Sequence, residues 1–448
     1  MSDIAVGALC LAASLLFIQS GMQIGVALML LSFLGVWTIK GLPIAGKLLA
    51  SSAATSIANE MFGVIPLFVI MGLLVSATSM GRDTFDVAAR LMRRLRGGLA
   101  ISTVAANAAF AACTGTSIAS ASVFTKVAVP EMVRHGYTTQ FAVGVVAGSS
   151  VLGMLIPPSL LMIMFGVIAN TSIGDLFIAG IVPGLLLAVA FSICIRLLVH
   201  IGPEFMYAQP SETRRAYADR LDDAPLYLFV LKFLPVCFLI ASVLGGIYGG
   251  LFTPTEAGGA GALVAFLIAL AKRELSLRLF WQVVLETGRV TCSICFLLMA
   301  AQLYAQMLTM SGLPYAVGHW LQTAGLPFGT VLAGYLVVVV LMGCFLDALS
   351  VMLIVLPFVL PAIDGFGVNM VWFGLITIVA IEIGLLTPPL GLSVFVVKAN
   401  LADQSITAWQ IFKGTMPMTV TMMLFLVVVV LFPWLSLVLV GNQNWNWW

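Results

Sequence analysis

Two acids in an almost uncharged chain are the groups best placed to do chemistry. Asp347 lies in an otherwise apolar run from Leu341 to Pro361, and Glu382 stands two residues before Gly384 in another. A carboxylate inside a membrane costs a few kcal/mol on insertion scales and is functional by default. Asp347 therefore needs a cation or a hydrogen-bond donor. It could equally cap the N-terminus of a following helix, and the two roles are compatible. For Glu382 the competing reading is a pair with Lys398 or with a backbone N–H. Around these acids the chain breaks its own helices. Cys113-Thr-Gly-Thr-Ser117 interrupts one apolar stretch and Gly343-Cys-Phe-Leu-Asp347 another. Each interruption has a partner break, Leu155-Ile-Pro-Pro-Ser159 with Gly148-Ser-Ser150, and Gly384-Leu-Leu-Thr-Pro-Pro-Leu-Gly391. A helix that stops at mid-membrane leaves carbonyls at one end and N–H groups at the other. Carbonyls suit Na⁺, and N–H groups suit an anion.

The elements that hold these groups come in two sets. Thr116 and Asp347 stand 231 positions apart, as do Gly81 and Gly312, Pro130 and Pro361, Gly153 and Gly384, and the pairs Pro157-Pro158 and Pro388-Pro389. Corresponding interruptions in two halves are the best sequence pointer to a transporter's binding site. The chain has 448 residues, 61% hydrophobic and 8% charged, with mean hydropathy +1.14. Soluble proteins carry roughly 25% charged residues, so the fold class is an all-α polytopic membrane protein. β-Barrel strands of ~10 alternating residues do not match runs such as Leu424 to Val440.

Spans of about 20 residues are predicted near 4–20, 22–39, 60–79, 140–170 (broken), 176–200, 226–248, 256–271, 288–310, 371–400 (broken) and 415–438. The stretches near 99–133 and 328–363 are too long for one crossing and read as re-entrant helical hairpins. Arg82, Arg90, Arg93, Arg94, Arg96 and Arg134 flank the first, which places its open end inside by the positive-inside rule. Ser311 to Pro327 and Asp364 to Met370, flanking the second, contain no Lys or Arg. One plan with opposite charge bias is the mark of an inverted repeat, and counting crossings puts both termini outside. The predicted order is N-terminal scaffold spans and an amphipathic arm at 1–59, a first repeat at 60–200, a cytoplasmic loop with scaffold spans and a second arm near 274–286 at 201–287, a second, inverted repeat at 288–417, and a C-terminal span at 418–448. Lys126, Arg196 and Lys232 are expected to snorkel towards span ends.

Several function classes fall away. A net charge of +2 supports no nucleic-acid partner. Gly41-Leu-Pro-Ile-Ala-Gly46-Lys47 lacks the Ser or Thr of a phosphate-binding loop, since Leu48 follows, so no ATP use is expected. No nucleophile–base or metal spacing argues for an enzyme, and the seven cysteines, including Cys292 and Cys295, read as packing residues. No cofactor is implied beyond a coupling ion.

Six segments resemble one family. They are Phe252-Thr-Pro-Thr-Glu-Ala257, Gly153-Met-Leu-Ile-Pro-Pro-Ser159, Asn170-Thr-Ser-Ile-Gly174, Ala179-Gly-Ile-Val-Pro-Gly184, Pro130-Glu-Met-Val-Arg-His-Gly136 and Glu382-Ile-Gly-Leu-Leu-Thr-Pro-Pro-Leu-Gly391. Together they resemble the large membrane subunit of tripartite ATP-independent periplasmic (TRAP) transporters. That resemblance implies a bacterial or archaeal inner-membrane protein that imports an organic acid with Na⁺ by an elevator movement. It implies two partners, a small four-helix membrane subunit and a periplasmic substrate-binding protein, with periplasmic termini. Carried onto this chain, it places one Na⁺ site at Thr114, Gly115, Thr116 and Ser117 with Gly148, Ser149, Ser150, Leu155 and Pro157. A second falls at Gly343, Cys344 and Asp347 with Leu385, Thr387 and Pro388. Substrate would lie between the tips, near Ser117, Ser149, Ser159, Gly391 and Ser393, with Glu382 as a structural or ion-linked acid. A stand-alone divalent-anion/sodium symporter shares the hairpin-and-break plan, and a channel is a further alternative.

Overall fold

The computed structural model describes residues 2–58, 60–208, 226–363, 366–403 and 405–441. Among these the chain is helical, with one isolated antiparallel bridge between Tyr137 and Tyr207. Among the described residues five helices are long and apolar enough to cross a bilayer: Ile173–Ile201, Leu231–Tyr248, Pro254–Ala271, Leu277–Ser311 and Ala408–Leu431. Local chemistry starts them where they start. Thr253 and Glu256 form a capping box with Pro254 in the first turn, and Thr407 and Gln410 form another. Reciprocal side-chain bonds of this kind satisfy orphan N–H groups that hydrocarbon cannot.

Both expected hairpins are present. The first pairs Gly98–Thr114 with Ser117–Arg134, and the second pairs Phe328–Gly343 with Ala348–Ile363. Both broken helices are present too. Thr139–Ser150 and Leu152–Leu155 lead to Leu160–Ala169, bent by 41° at the break, and Met370–Leu386 leads to Leu392–Asn400. Pro157-Pro158 and Pro388-Pro389 each contain a cis peptide bond. The outgoing arm of the first hairpin packs on Leu392–Asn400, and that of the second packs on Leu160–Ala169. Each hairpin thus leans on the helix that follows the other half's break.

Four features differ from the sequence reading. The arm expected near 274–286 is not a separate element, because Leu277–Ser311 is one helix of 35 residues. At 1.5 Å per residue it runs about 52 Å; Gly288 alone does not interrupt it. Met80–Met92 and Leu313–Thr323, outside every span and hairpin predicted from sequence, are short amphipathic helices. The first meets Val64–Ala77 at a 65° elbow. Helix Ala408–Leu431 begins before the span predicted at 415–438, and a short turn, Trp434–Leu437, closes it. Finally, Lys232 does not snorkel freely. Its Nζ lies 2.7 Å from Asp86 and 3.6 Å from Asp83, and Lys272 pairs with Asp83 as well. The arm expected near 42–57 is the helix Leu42–Ala58. Most of the polar loop between the halves, at 209–225, and the Trp-rich end at 445–448 lie outside the described residues.

Candidate functional site

The first tip is short. Gly115, at φ +65, ends the incoming arm, and Thr116 caps the outgoing arm by accepting the Ala119 N–H at 3.3 Å. The second tip is longer, running through Cys344, Phe345 and Leu346 to Asp347. Asp347 caps its arm by accepting the Ser350 N–H at 3.2 Å, and its other oxygen accepts the Ser350 hydroxyl. The capping role expected of Asp347 is therefore present in the geometry.

Each tip is bonded to a break. The Leu160 N–H donates to the Gly115 carbonyl at 3.1 Å, and the Leu390 and Gly391 N–H groups donate to the Cys344 carbonyl at 3.2 and 3.3 Å. Glycines make the approach possible. A methyl group on Gly153 would sit 2.6 Å from the Thr116 carbonyl oxygen, and one on Gly384 would sit 2.6 Å from the Gly343 Cα. Only a residue without Cβ allows such contact. The breaks differ in exposure: Pro157, Pro158 and Ser159 are buried, whereas Pro388, Pro389 and Leu390 are exposed.

The two tips line one cavity of about 850 Å³. Thr114, Thr116 and Ser117 face it from the first and Asp347, Ala348 and Leu349 from the second, joined by Leu385 and Ser393. Helices Val64–Ala77 and Leu277–Ser311 close the other side, contributing Ser76, Glu286, Arg289 and Ser293. Lys126, expected to snorkel, also lines it. Two basic and two acidic side chains, Lys126 and Arg289 against Glu286 and Asp347, make the lining neutral. Arg289 lies 3.5 Å from Glu286.

Not every expected site residue reaches this space. Gly148, Ser149 and Ser150 are buried in the helix behind the first hairpin. Ser149 donates to the Val145 carbonyl and accepts from Asn107, and Ser150 donates to the Ala147 carbonyl. Both lone pairs of the Cys344 carbonyl are taken by the second break. Ser159 donates to the Met154 carbonyl and faces a pocket of about 20 Å³ with Gly115, Thr116 and Pro158. Leu155 and Pro157 are buried at the first break. Thr387 donates to the Ile383 carbonyl. Gly391, at φ +48, begins Leu392–Asn400 beside the second tip, with Pro388 exposed nearby.

Sequence reasoning missed Asn107. Its amide donates to Ser149 and accepts from Ser120 in a fully buried network that ties the first hairpin together. An Asn inside the apolar run Gly98–Thr114 was the available signal. Glu382 is fully buried, and neither carboxylate oxygen has a hydrogen-bond partner, so the expected pair with Lys398 or a backbone N–H is absent.

Helical hairpins whose tips meet broken helices around a shared cavity, beside helices long and apolar enough to cross a bilayer, are the architecture of a polytopic membrane protein. The family model of the tripartite ATP-independent periplasmic transporter, DctM component, matches residues 11–435. The chain belongs to that family and is a transporter component rather than an enzyme. It is 33% identical over 382 residues to the C4-dicarboxylate TRAP transporter large permease protein DctM of Pseudomonas aeruginosa, covering 85% of this chain and 86% of that one. It is 29% identical to the sialic acid TRAP transporter large permease protein SiaM of Vibrio cholerae, covering 94% and 95%. In fold it is similar to the YdaH transporter of Alcanivorax borkumensis, with a TM-score of 0.55 at 14% identity over 88% of this chain and 90% of that one.

Proposed function

We propose that this chain is the translocation subunit of a Na⁺-coupled importer of an organic acid, working in the bacterial inner membrane with a small four-helix membrane subunit and a periplasmic binding protein. The observation that carries the reading is one cavity lined by both hairpin tips, with Asp347, Lys126 and Arg289 all in its wall. A neutral lining does not attract an anion. Sodium at Asp347 leaves Lys126 and Arg289 against Glu286 alone, one positive charge in excess, and the cavity then draws a carboxylate. Binding of cation and substrate is coupled by charge alone, before any movement. The relatives named above carry C4-dicarboxylates and sialic acid, both carboxylates.

The cavity reaches Lys126, on the arm that ends at Arg134, and Glu286 and Arg289, near the start of Leu277–Ser311. With the arginine-rich end of the first hairpin inside, this arrangement reads as the inward-facing state, both termini being periplasmic. The hairpins and broken helices pack on one another and would slide as a block, in an elevator movement, against a scaffold that includes Leu277–Ser311.

The test is uptake into proteoliposomes holding this chain and the small subunit, with the binding protein outside and a labelled C4-dicarboxylate or sialic acid as probe. Uptake should need an inward Na⁺ gradient and both partners. Transport by this chain alone would favour a stand-alone symporter, and gradient-following currents without the binding protein would favour a channel.

A further inference from the structure

A hydroxyl inside a helix commonly gives its proton to the carbonyl one turn back, as Thr125 and Ser192 do here at 2.6 and 2.8 Å. Ser122 does not. It stands in the second turn of the first hairpin's outgoing arm, half-buried, and lines the cavity. Its hydroxyl lies 2.9 Å from Oδ1 of Asn400, the last residue of Leu392–Asn400 in the other half of the chain. The far side of that amide fixes which atom faces Ser122. Nδ2 donates to the Val396 carbonyl at 2.9 Å, so the oxygen is turned to the hydroxyl. An amide oxygen only accepts, and the Ser122 proton is therefore committed to Asn400. What Ser122 has left for the cavity is lone pairs. Lys126 stands one turn further along the same face of the same arm and also lines the cavity, its Cβ about 5–6 Å away. An ammonium that only donates is thus next to a hydroxyl oxygen that only accepts.

We infer that Ser122 and Lys126 together read a 2-hydroxy acid. Lys126 holds the carboxylate, Ser122 accepts a hydrogen bond from the hydroxyl on the neighbouring carbon, and Asn400 is the positioning residue that keeps Ser122 an acceptor. The inference rests on the organic-acid reading above and deepens it by naming the substrate class. A deoxy acid keeps the carboxylate contact and loses the bond to Ser122. An amino acid brings an N–H donor to the same place, but its ammonium meets Lys126 in a lining that already holds one positive charge in excess once Na⁺ is bound. This chain then selects its cargo itself, in addition to any choice made by a binding protein.

The test is acid-induced thermal stabilisation of the full-length chain with its small subunit in lipid nanodiscs at saturating NaCl. The binding protein is left out so that its own selectivity does not enter. The probes are pairs that differ by the 2-hydroxyl: lactate and propionate, malate and succinate, gluconate and 2-deoxygluconate. In any pair that binds, the hydroxy acid should half-saturate wild type at a concentration roughly three- to tenfold lower than its partner. Ser122→Ala should bring the hydroxy acid to the deoxy value and leave the deoxy value where it was. Asn400→Leu should shrink the ratio, and Asn400→Asp, which still accepts the Ser122 proton, should keep it. Equal half-saturation by both members of a pair in wild type, a measurement that needs no variant to fold, would overturn the inference while leaving organic-acid binding in place. A ratio that survives Ser122→Ala would do the same. Stabilisation by no acid in the panel would remove the organic-acid reading and the inference with it.

Discussion

Thr116 and Asp347 hold the same place at opposite tips. Each caps an outgoing arm through the N–H three residues ahead, at 3.3 and 3.2 Å, and both face one cavity. The backbone task is shared and the charge is not. Asn caps a helix about as well as Asp, whereas Ala forfeits ~1 kcal/mol. Asp347→Asn should therefore unfold at the wild-type temperature yet lose Na⁺-stimulated uptake, and Asp347→Ala should lose both uptake and some stability. Normal Na⁺-stimulated uptake in the Asn variant would reduce Asp347 to a cap.

Gly153 and Gly384 let the tips reach the breaks. A methyl at either position would fall 2.6 Å from tip backbone, which has no flexible end to yield. Gly153→Ala and Gly384→Ala should each cost about 1–3 kcal/mol and reduce uptake more than tenfold. Gly334, also mid-helix, has nothing within 4 Å of the same methyl. Gly334→Ala should be neutral or slightly stabilising, as thermal unfolding would report.

At the elbow between Val64–Ala77 and Met80–Met92, Asp83 is nearly buried between Lys232 and Lys272. Lys272 also donates to Ser79 at 2.8 Å, and Glu274 accepts the Ser79 N–H at 2.7 Å. Asp83→Asn leaves Lys272 half-buried and short of its partner, for a loss of about 1–3 kcal/mol after allowing for partial exposure. Equal thermal stability of the Asn variant and wild type would show the network to be energetically idle.

Asn107 joins Ser120 and Ser149 out of reach of water. Asn107→Ala leaves two buried hydroxyls with fewer partners and should destabilise by about 1–3 kcal/mol. Asn107→Leu tests whether shape alone suffices; stability equal to wild type would remove the network from the hairpin's support.

Lys126 and Arg289 are the cavity's basic groups. Lys126→Gln should weaken carboxylate binding by on the order of 1 kcal/mol, roughly fivefold in KM, with Na⁺ half-saturation little changed. A KM that stays constant across Lys126 variants would separate this side chain from substrate.

The parts of this architecture most legible in the sequence were those that backbone chemistry makes conspicuous. Gly153, Gly384 and the two proline pairs break apolar helices and so announce themselves, and Asp347 stood alone in hydrocarbon. What stayed hidden depends on tertiary placement. Lys126 looks like a snorkelling lysine until its helix is set against Leu277–Ser311. Ser149 looks like a ligand until Asn107 is seen to bond it. The 277–311 helix looks like arm plus span because its polarity changes near Gly288, a residue that does not interrupt it. Glu382 was visible as an acid, but its lack of a partner is a property of packing alone.

The most direct measurement is the labelling rate of two cavity cysteines, Ser117→Cys and Ala348→Cys, each in a background free of native cysteines, with a small membrane-permeant maleimide. If Na⁺ orders both tips around one site, replacing K⁺ with Na⁺ should slow labelling at both positions over the same concentration range. Labelling unaffected by Na⁺ at both positions, or changed at one tip alone, would contradict a shared, cation-organised cavity.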